Sequence, residues 1–191
     1  KSKGWFESEE SVSDHRIAMN LLSFFHDRLK VFLKDRGVRH DVIDAVISDD
    51  SDDLLLVVQK ATALQALVDT DDGENLIQGY KRAANILAAE EKKGTAIADA
   101  VSAELLQGDE ERALFETLQD VEKLAENAIA DEKFDTAMER LATLRAPIDN
   151  FFEHVHVNDE DDAVRANRLA LLARIEAVTA RVADFGKISG G

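Results

Sequence analysis

Four arginines near the end of the chain, Arg165, Arg168, Arg174 and Arg181, are the residues whose type and spacing point most directly to chemistry. A guanidinium offers planar, fixed donors that match a phosphate two bonds at a time. Arg174 and Arg181 are seven residues apart, so on a helix they share one face, which reads either as a site for a phosphate backbone or as a plain solvated face. Arg168 instead projects into an apolar stripe of Val164, Leu171, Leu172, Ile175, Val178 and Val182, with Arg165 at its edge. A buried guanidinium without an acid is prohibitive. Arg168 therefore reads as a structural clamp, with Asp149 and Glu153 on the neighbouring helix as its expected partners. A second cluster is Tyr80-Lys81-Arg82-Ala83-Ala84-Asn85-Ile86-Leu87. Leu76, Tyr80, Ala83 and Leu87 form its core stripe, and Lys81 and Asn85 fall on the flank. Asparagine is a poor mid-helix residue, so Asn85 is expected to make a specific hydrogen bond. Phe151 and Phe152 point about 100° apart. They read as a broad buried face, with a rim position open to Phe152, where an aromatic can stack on an unpaired base.

Other chemistries have less support. His40-Asp41 invites a metal-dependent phosphohydrolase reading, but that needs an upstream His and a downstream Asp. His15 and His26 lie inside an otherwise core-forming helix, so the His40-Asp41 pair reads as a helix start. His154 and His156 are two apart and diverge on a helix, which makes a poor joint metal site. There is no Gly-rich phosphate loop and no Gly-x-Ser-x-Gly turn.

The elements that must position these residues are helices. One proline and nine glycines among 191 residues leave few breaks for strands and turns, and 45% hydrophobic content supplies a sizeable core. Absence of cysteine excludes disulfides and thiolate zinc sites and fits a reducing compartment. The longest apolar run, Leu54 to Val58, is far short of the roughly 20 residues of a membrane span. No secretory leader is expected at the start, and a first residue other than Met suggests a piece of a longer polypeptide. The net charge of -16 argues against a generic nucleic-acid sink. Charge is local, however. Ala163 to Lys187 holds five basic residues against two acids, and Asp14 to His40 holds six against three.

The pattern predicts a first helix from Ser13 to about Arg36, stopped by Gly37. Its apolar residues (Ile17, Leu21, Leu22, Phe24, Phe25, Leu29, Val31, Phe32, Leu33) cover more than half the wheel, so neighbours should nearly enclose it. Arg28 among them should form a buried ion pair. A short helix follows over His40–Ser48. A third, opened by Asp52 or Asp53, runs to Val68, and a fourth runs from an Asp71/Glu74 capping box to Lys93. Residues 95–108 read as a connection with a short helix. Helices then follow over Asp109–Ala130 and Lys133–Leu144, after Pro147, and from Asp161 to Asp184, with a loose tail over Ile188–Gly191.

The order of elements in Leu144 to Ile175, a helix, a proline, paired aromatics, an acidic turn and a long helix opening Arg-x-Asn-Arg-Leu-x-Leu-Leu, resembles the DALR-type anticodon-binding domain of aminoacyl-tRNA synthetases. Phe151, Phe152, Val155, Val157, Arg165, Asn167, Arg168 and Leu169, with the Arg28–Leu33, His40–Val46 and Tyr80–Leu87 segments, look most like the bacterial glycyl-tRNA synthetase beta subunit. The resemblance implies an all-α fold: a helical body over residues 1–94, a connection over 95–108 and a DALR-like bundle over 109–191. It implies tRNA and a synthetase alpha subunit, in an alpha2beta2 assembly, as partners, with neither DNA nor membrane. It implies a cytoplasmic setting, and ATP and magnesium for the whole enzyme. No residue here is assigned to catalysis or metal, and the absence of His-Ile-Gly-His and Lys-Met-Ser-Lys-Ser is expected if the catalytic fold lies on the other subunit. The expected tRNA contacts are Lys81, Asn85, Arg165, Asn167, Arg174 and Arg181, with the last helix presenting a confined cationic ridge. The alternative is a non-enzymatic, acidic helical scaffold for protein interactions.

Overall fold

A computed structural model of the chain describes the backbone of residues 6–48 and 51–189, and the side chains of 17, 19–48 and 51–189. Among the described residues the regular structure is helical throughout. Helix α1, Phe6–Asp35, begins well before Ser13, so Ser13 is not its cap. It ends where expected, because Gly37 takes a φ of +86° that side chains disfavour. Its neighbours are α2 (His40–Val46) and α3 (Leu54–Val68). They bury the single stripe His26, Leu29 and Leu33 and leave Ile17, Leu21, Phe24, Phe25, Val31 and Phe32 exposed. The expected enclosure is thus half realised: one apolar face of α1 is covered and a second is not. Arg28 lies on that open face, its guanidinium 5.0 Å from the centre of the Phe24 ring rather than in a buried ion pair.

Caps set the middle helices. Asp53 accepts from the amides of Leu55 and Leu56 and opens α3. Helix α4 spans Asp71–Lys93. Thr70 is its cap rather than Asp71, since the Thr70 hydroxyl accepts from Gly73 N at 3.0 Å. Acids fill the first turn of α4 and Lys92 and Lys93 its last, in the sense the helix dipole favours. After a 3₁₀ turn, Ala103–Leu105, come α5 (Asp109–Ala130), α6 (Phe134–Ala142), α7 (Arg145–His154) and α8 (Asp162–Ala180). Pro147 does not separate helices as expected. It stands in the first turn of α7, where the missing N–H costs no bond, and Ala146 before it is helical. The break falls earlier, at Thr143 and Leu144.

One core runs through the molecule, from Leu29 and Leu33 to Val178 and Phe185. Helix α5 packs on α6, α7 and α8, α3 packs on α6, and α4 packs on both α7 and α8. The connection at 95–108 therefore does not interrupt the packing, and α4 lies against the helices that come after it. At the α4–α7 contact Gly79 lets the backbone approach so closely that a Cβ there would meet Ile148 Cγ2 at 2.6 Å.

Helix α8 stops short of Asp184. Val182 and Ala183 turn inward, and a second 3₁₀ turn, Phe185–Lys187, sets Phe185 against Tyr80 with ring centres 5.7 Å apart. The segment after this turn is tied down rather than loose. Ile188 is buried, Ser189 N donates to Asp41 Oδ2 at 2.7 Å, and the Ser189 carbonyl accepts from Arg39 at 2.9 Å. Gly190 and Gly191 lie outside the described residues. Burial pushes the Asp41 carboxyl up, but bonds from Arg39, Ser189 N and Val42 N outweigh it and hold the group at about 2. That carboxylate is a structural anchor. No helix among the described residues is long and apolar enough to cross a membrane.

Candidate nucleic-acid interface

The cationic ridge expected on α8 is absent as free charge. Arg165 pairs with Asp162, and also donates to the Asp159 carbonyl. Arg174 meets Glu122 at 2.6 Å, and Arg181 meets Glu122 and Glu126, both on α5. The bond from Arg174, helped by Arg181 and opposed by burial, holds the Glu122 carboxyl below the usual carboxylate range. The shared face of Arg174 and Arg181 is thus a helix-to-helix seam. Seven-residue spacing places two residues on one face but does not say what stands opposite.

Arg168 is a clamp, as its position in the apolar stripe requires, with partners other than those expected. Its Nε donates to Glu111 Oε1 at 2.5 Å. One terminal nitrogen donates both to Asp159 at 2.7 Å and to the His156 carbonyl at 2.8 Å, and the other to Gln107 Oε1 at 3.2 Å. Glu111 is fully buried and also accepts from the amides of Gln107 and Gly108, fixing the start of α5. Asp149 is engaged by Arg145 instead. Asn167 is likewise internal. It is fully buried, accepts from Ser102 N at 2.7 Å and donates to Ser102 O at 3.1 Å, pinning the connection to α8. So placed, it is not presented at the surface, where the expected tRNA contact would lie.

Lys81 and Asn85 do face outward, on the flank of α4. Lys81 is half-buried and Asn85 exposed, and neither side chain has a hydrogen-bond or ion-pair partner among the described residues. The bond expected of Asn85 is not made. Beside them on α4 stands Arg82, also without a carboxylate partner among the described residues, its guanidinium 4.4 Å from the centre of the Phe152 ring. Phe151 is fully buried and Phe152 half-buried, so the pair divides between core and rim. Arg82, Ile86 and Phe152 line a groove of about 390 Å³, closed on the far side by Glu153, His154, Val155, His156, Val157 and Asn158.

The groove brings together a guanidinium without an ion-pair partner among the described residues, aromatic surface, mixed donors and one carboxylate, Glu153. A guanidinium stacked on a ring has a second face on which a planar group can stack, and imidazoles and an amide are groups that can bond a base edge. Arg168 braces the far wall from within, because it holds the carbonyl of His156, one of the lining residues. Sequence reading passed over Arg82. The available signal was its position one turn before Ile86, on the side away from the Leu76–Leu87 stripe.

A helical bundle with such an edge groove defines a class, and comparison with known proteins agrees. The DALR anticodon binding domain matches residues 76–185, and the chain belongs to that family. The match begins inside α4, the helix that carries Lys81, Arg82 and Asn85. Over nearly its whole length the chain is also similar to proteins named glycine–tRNA ligase beta subunit. The one from Dinoroseobacter shibae is 47% identical over 96% of this chain and 26% of its own length. Those from Paracoccus denitrificans and a Ruegeria species are 50% and 51% identical, over 91% and 90% of this chain and 26% and 25% of theirs. The chain thus spans about a quarter of the curated relatives it matches.

Proposed function

We propose that this chain is the tRNA-gripping part of a glycine–tRNA ligase beta subunit, and that the Arg82–Phe152 groove, with Lys81 and Asn85 beside it, receives the anticodon region. The observation that carries this is the coincidence of the family match with an unneutralised, aromatic-backed guanidinium on the surface of the matched helices. The mechanism is positioning. Half-buried Lys81 and exposed Arg82 take phosphate or stack, and Asn85, His154, His156 and Asn158 read the edges of splayed bases. Binding energy collected here orients the acceptor end elsewhere in the enzyme. Joining glycine to its tRNA, with ATP and magnesium, is on this reading the work of the whole ligase, an alpha2beta2 assembly in the cytoplasm, and no residue of this chain is assigned to those cofactors. Of the α8 candidates, Arg165, Arg174 and Arg181 would have to give up a carboxylate to reach phosphate.

The test is tRNA binding at two salt concentrations. Lys81→Glu with Arg82→Glu should weaken binding at least about tenfold at low salt and flatten the salt dependence by roughly one unit per lost phosphate contact. Unchanged binding with intact helicity would remove the groove from the reading. No binding by the parent chain at either salt would favour the acidic interaction scaffold. Reversing Arg174 and Arg181 is a poorer probe, because it places new acids beside Glu122 and Glu126 and acts on folding first.

A further inference from the structure

The open face of α1 has its own pattern. At about 100° per residue, Ile17, Leu21, Phe24, Phe25, Val31 and Phe32 occupy an arc of about 120°, interrupted by Arg28 and Asp35, that starts about 40° from the buried stripe His26, Leu29 and Leu33. Ile17 is 60% exposed, Val31 58% and Leu21 54%. Exposed apolar surface of this extent marks an interaction site. Within the arc Arg28 stands over Phe24 at 5.0 Å, and Arg36, just past the end of α1, reaches over Phe32 at 3.5 Å, neither with a carboxylate partner among the described residues.

We infer that this second face of α1 docks against the remainder of the beta subunit, on a surface with an apolar centre and carboxylates that answer Arg28 and Arg36; this rests on the beta-subunit reading above. Three observations select that occupant. The relatives carry about three-quarters of their length outside the region this chain matches, so protein surface belonging to the same polypeptide is at hand. A second copy of a chain with net charge -16 is repelled at close approach. RNA is disfavoured because Ile17, Leu21 and Val31, aliphatic and exposed, offer nothing to bases or phosphate.

Hydroxyl-radical footprinting of the chain alone and within a full-length beta subunit tests this. In the chain alone, Phe24, Phe25 and Phe32 should oxidise readily. Within the subunit their oxidation should fall to the level of Phe151, which is fully buried and serves as an internal reference. Equal oxidation in both settings overturns the inference. So does protection that develops in the chain alone on concentration, together with a dimer in sedimentation, and so does protection that requires added tRNA. Phe24→Asp with Val31→Asp gives a second readout. Both positions are exposed, so the chain alone should melt unchanged while the full subunit melts lower, and equal shifts in the two would overturn the docking. Binding of tRNA by the same preparations is read separately. Intact binding with an unprotected α1 sinks this inference and leaves the proposed function standing.

Discussion

Arg168 is the residue on which the matched motif turns, and its chemistry is now specific. It is 7% exposed, and it balances the charge of Glu111, which is wholly buried. Removing one partner of such a pair strands the other charge at a cost of about 3–5 kcal/mol, whereas removing both costs far less. Arg168→Met should therefore be severely destabilising in urea denaturation. Adding Glu111→Gln should recover a large part, because glutamine still accepts from Gln107 and Gly108. A double variant as unstable as the single would refute the clamp. Sequence disclosed half of this. The intrusion of an arginine into an apolar stripe demanded an acid, but Glu111 lies 57 residues away in the chain, and helical spacing carries no information at that range. The same limit explains Arg174 and Arg181, whose shared face was legible and whose partner, Glu122, was not.

At the scale of elements, punctuation was readable and mutual packing was not. Gly37, Asp53 and Gly94 end or open helices where their backbone and capping chemistry requires. The errors lie where tertiary context decides: Pro147 accommodated in a first turn, and α1, amphipathic on two sides, covered on one. Gly79 is a packing position that spacing alone would not single out. Alanine is the better helix former by about 1 kcal/mol, yet a methyl 2.6 Å from Ile148 Cγ2 forces α4 and α7 apart, and overpacking of this kind costs about 1–3 kcal/mol. The second effect wins. Gly79→Ala should lower the melting temperature by a few degrees, about 2–4 °C per kcal/mol for a chain of this size. Ile148→Ala beside it should cost less than it does in the parent, because the two side chains compete for one space. Strict additivity of the two would show that the helices do not meet so tightly.

The whole molecule is an acidic body closed by a bond between distant segments: Asp41 near its beginning holds Ser189 near its end. Acidification acts on it in two opposing ways. As pH falls toward the sequence pI of about 4.6, self-repulsion is relieved, which favours the compact state. Below that, carboxylates held down by native partners must take up protons, which favours unfolding. Asp41 is the sharpest case, with its carboxyl at about 2 against an ordinary 3.8. Its folded value is depressed, so its contribution is complete above about pH 4 and disappears as pH falls from 4 to 2. A shift of this size corresponds to about 2 kcal/mol. Comparing the parent with Asp41→Asn cancels the general charge effect, since both carry nearly the same field. The parent should be the more stable at neutral pH by roughly that amount, with the difference narrowing below about pH 4. A difference that stays constant from pH 7 to 2 would mean that Asp41 closes the fold through its hydrogen bonds alone, and that its charge is not what joins the two segments.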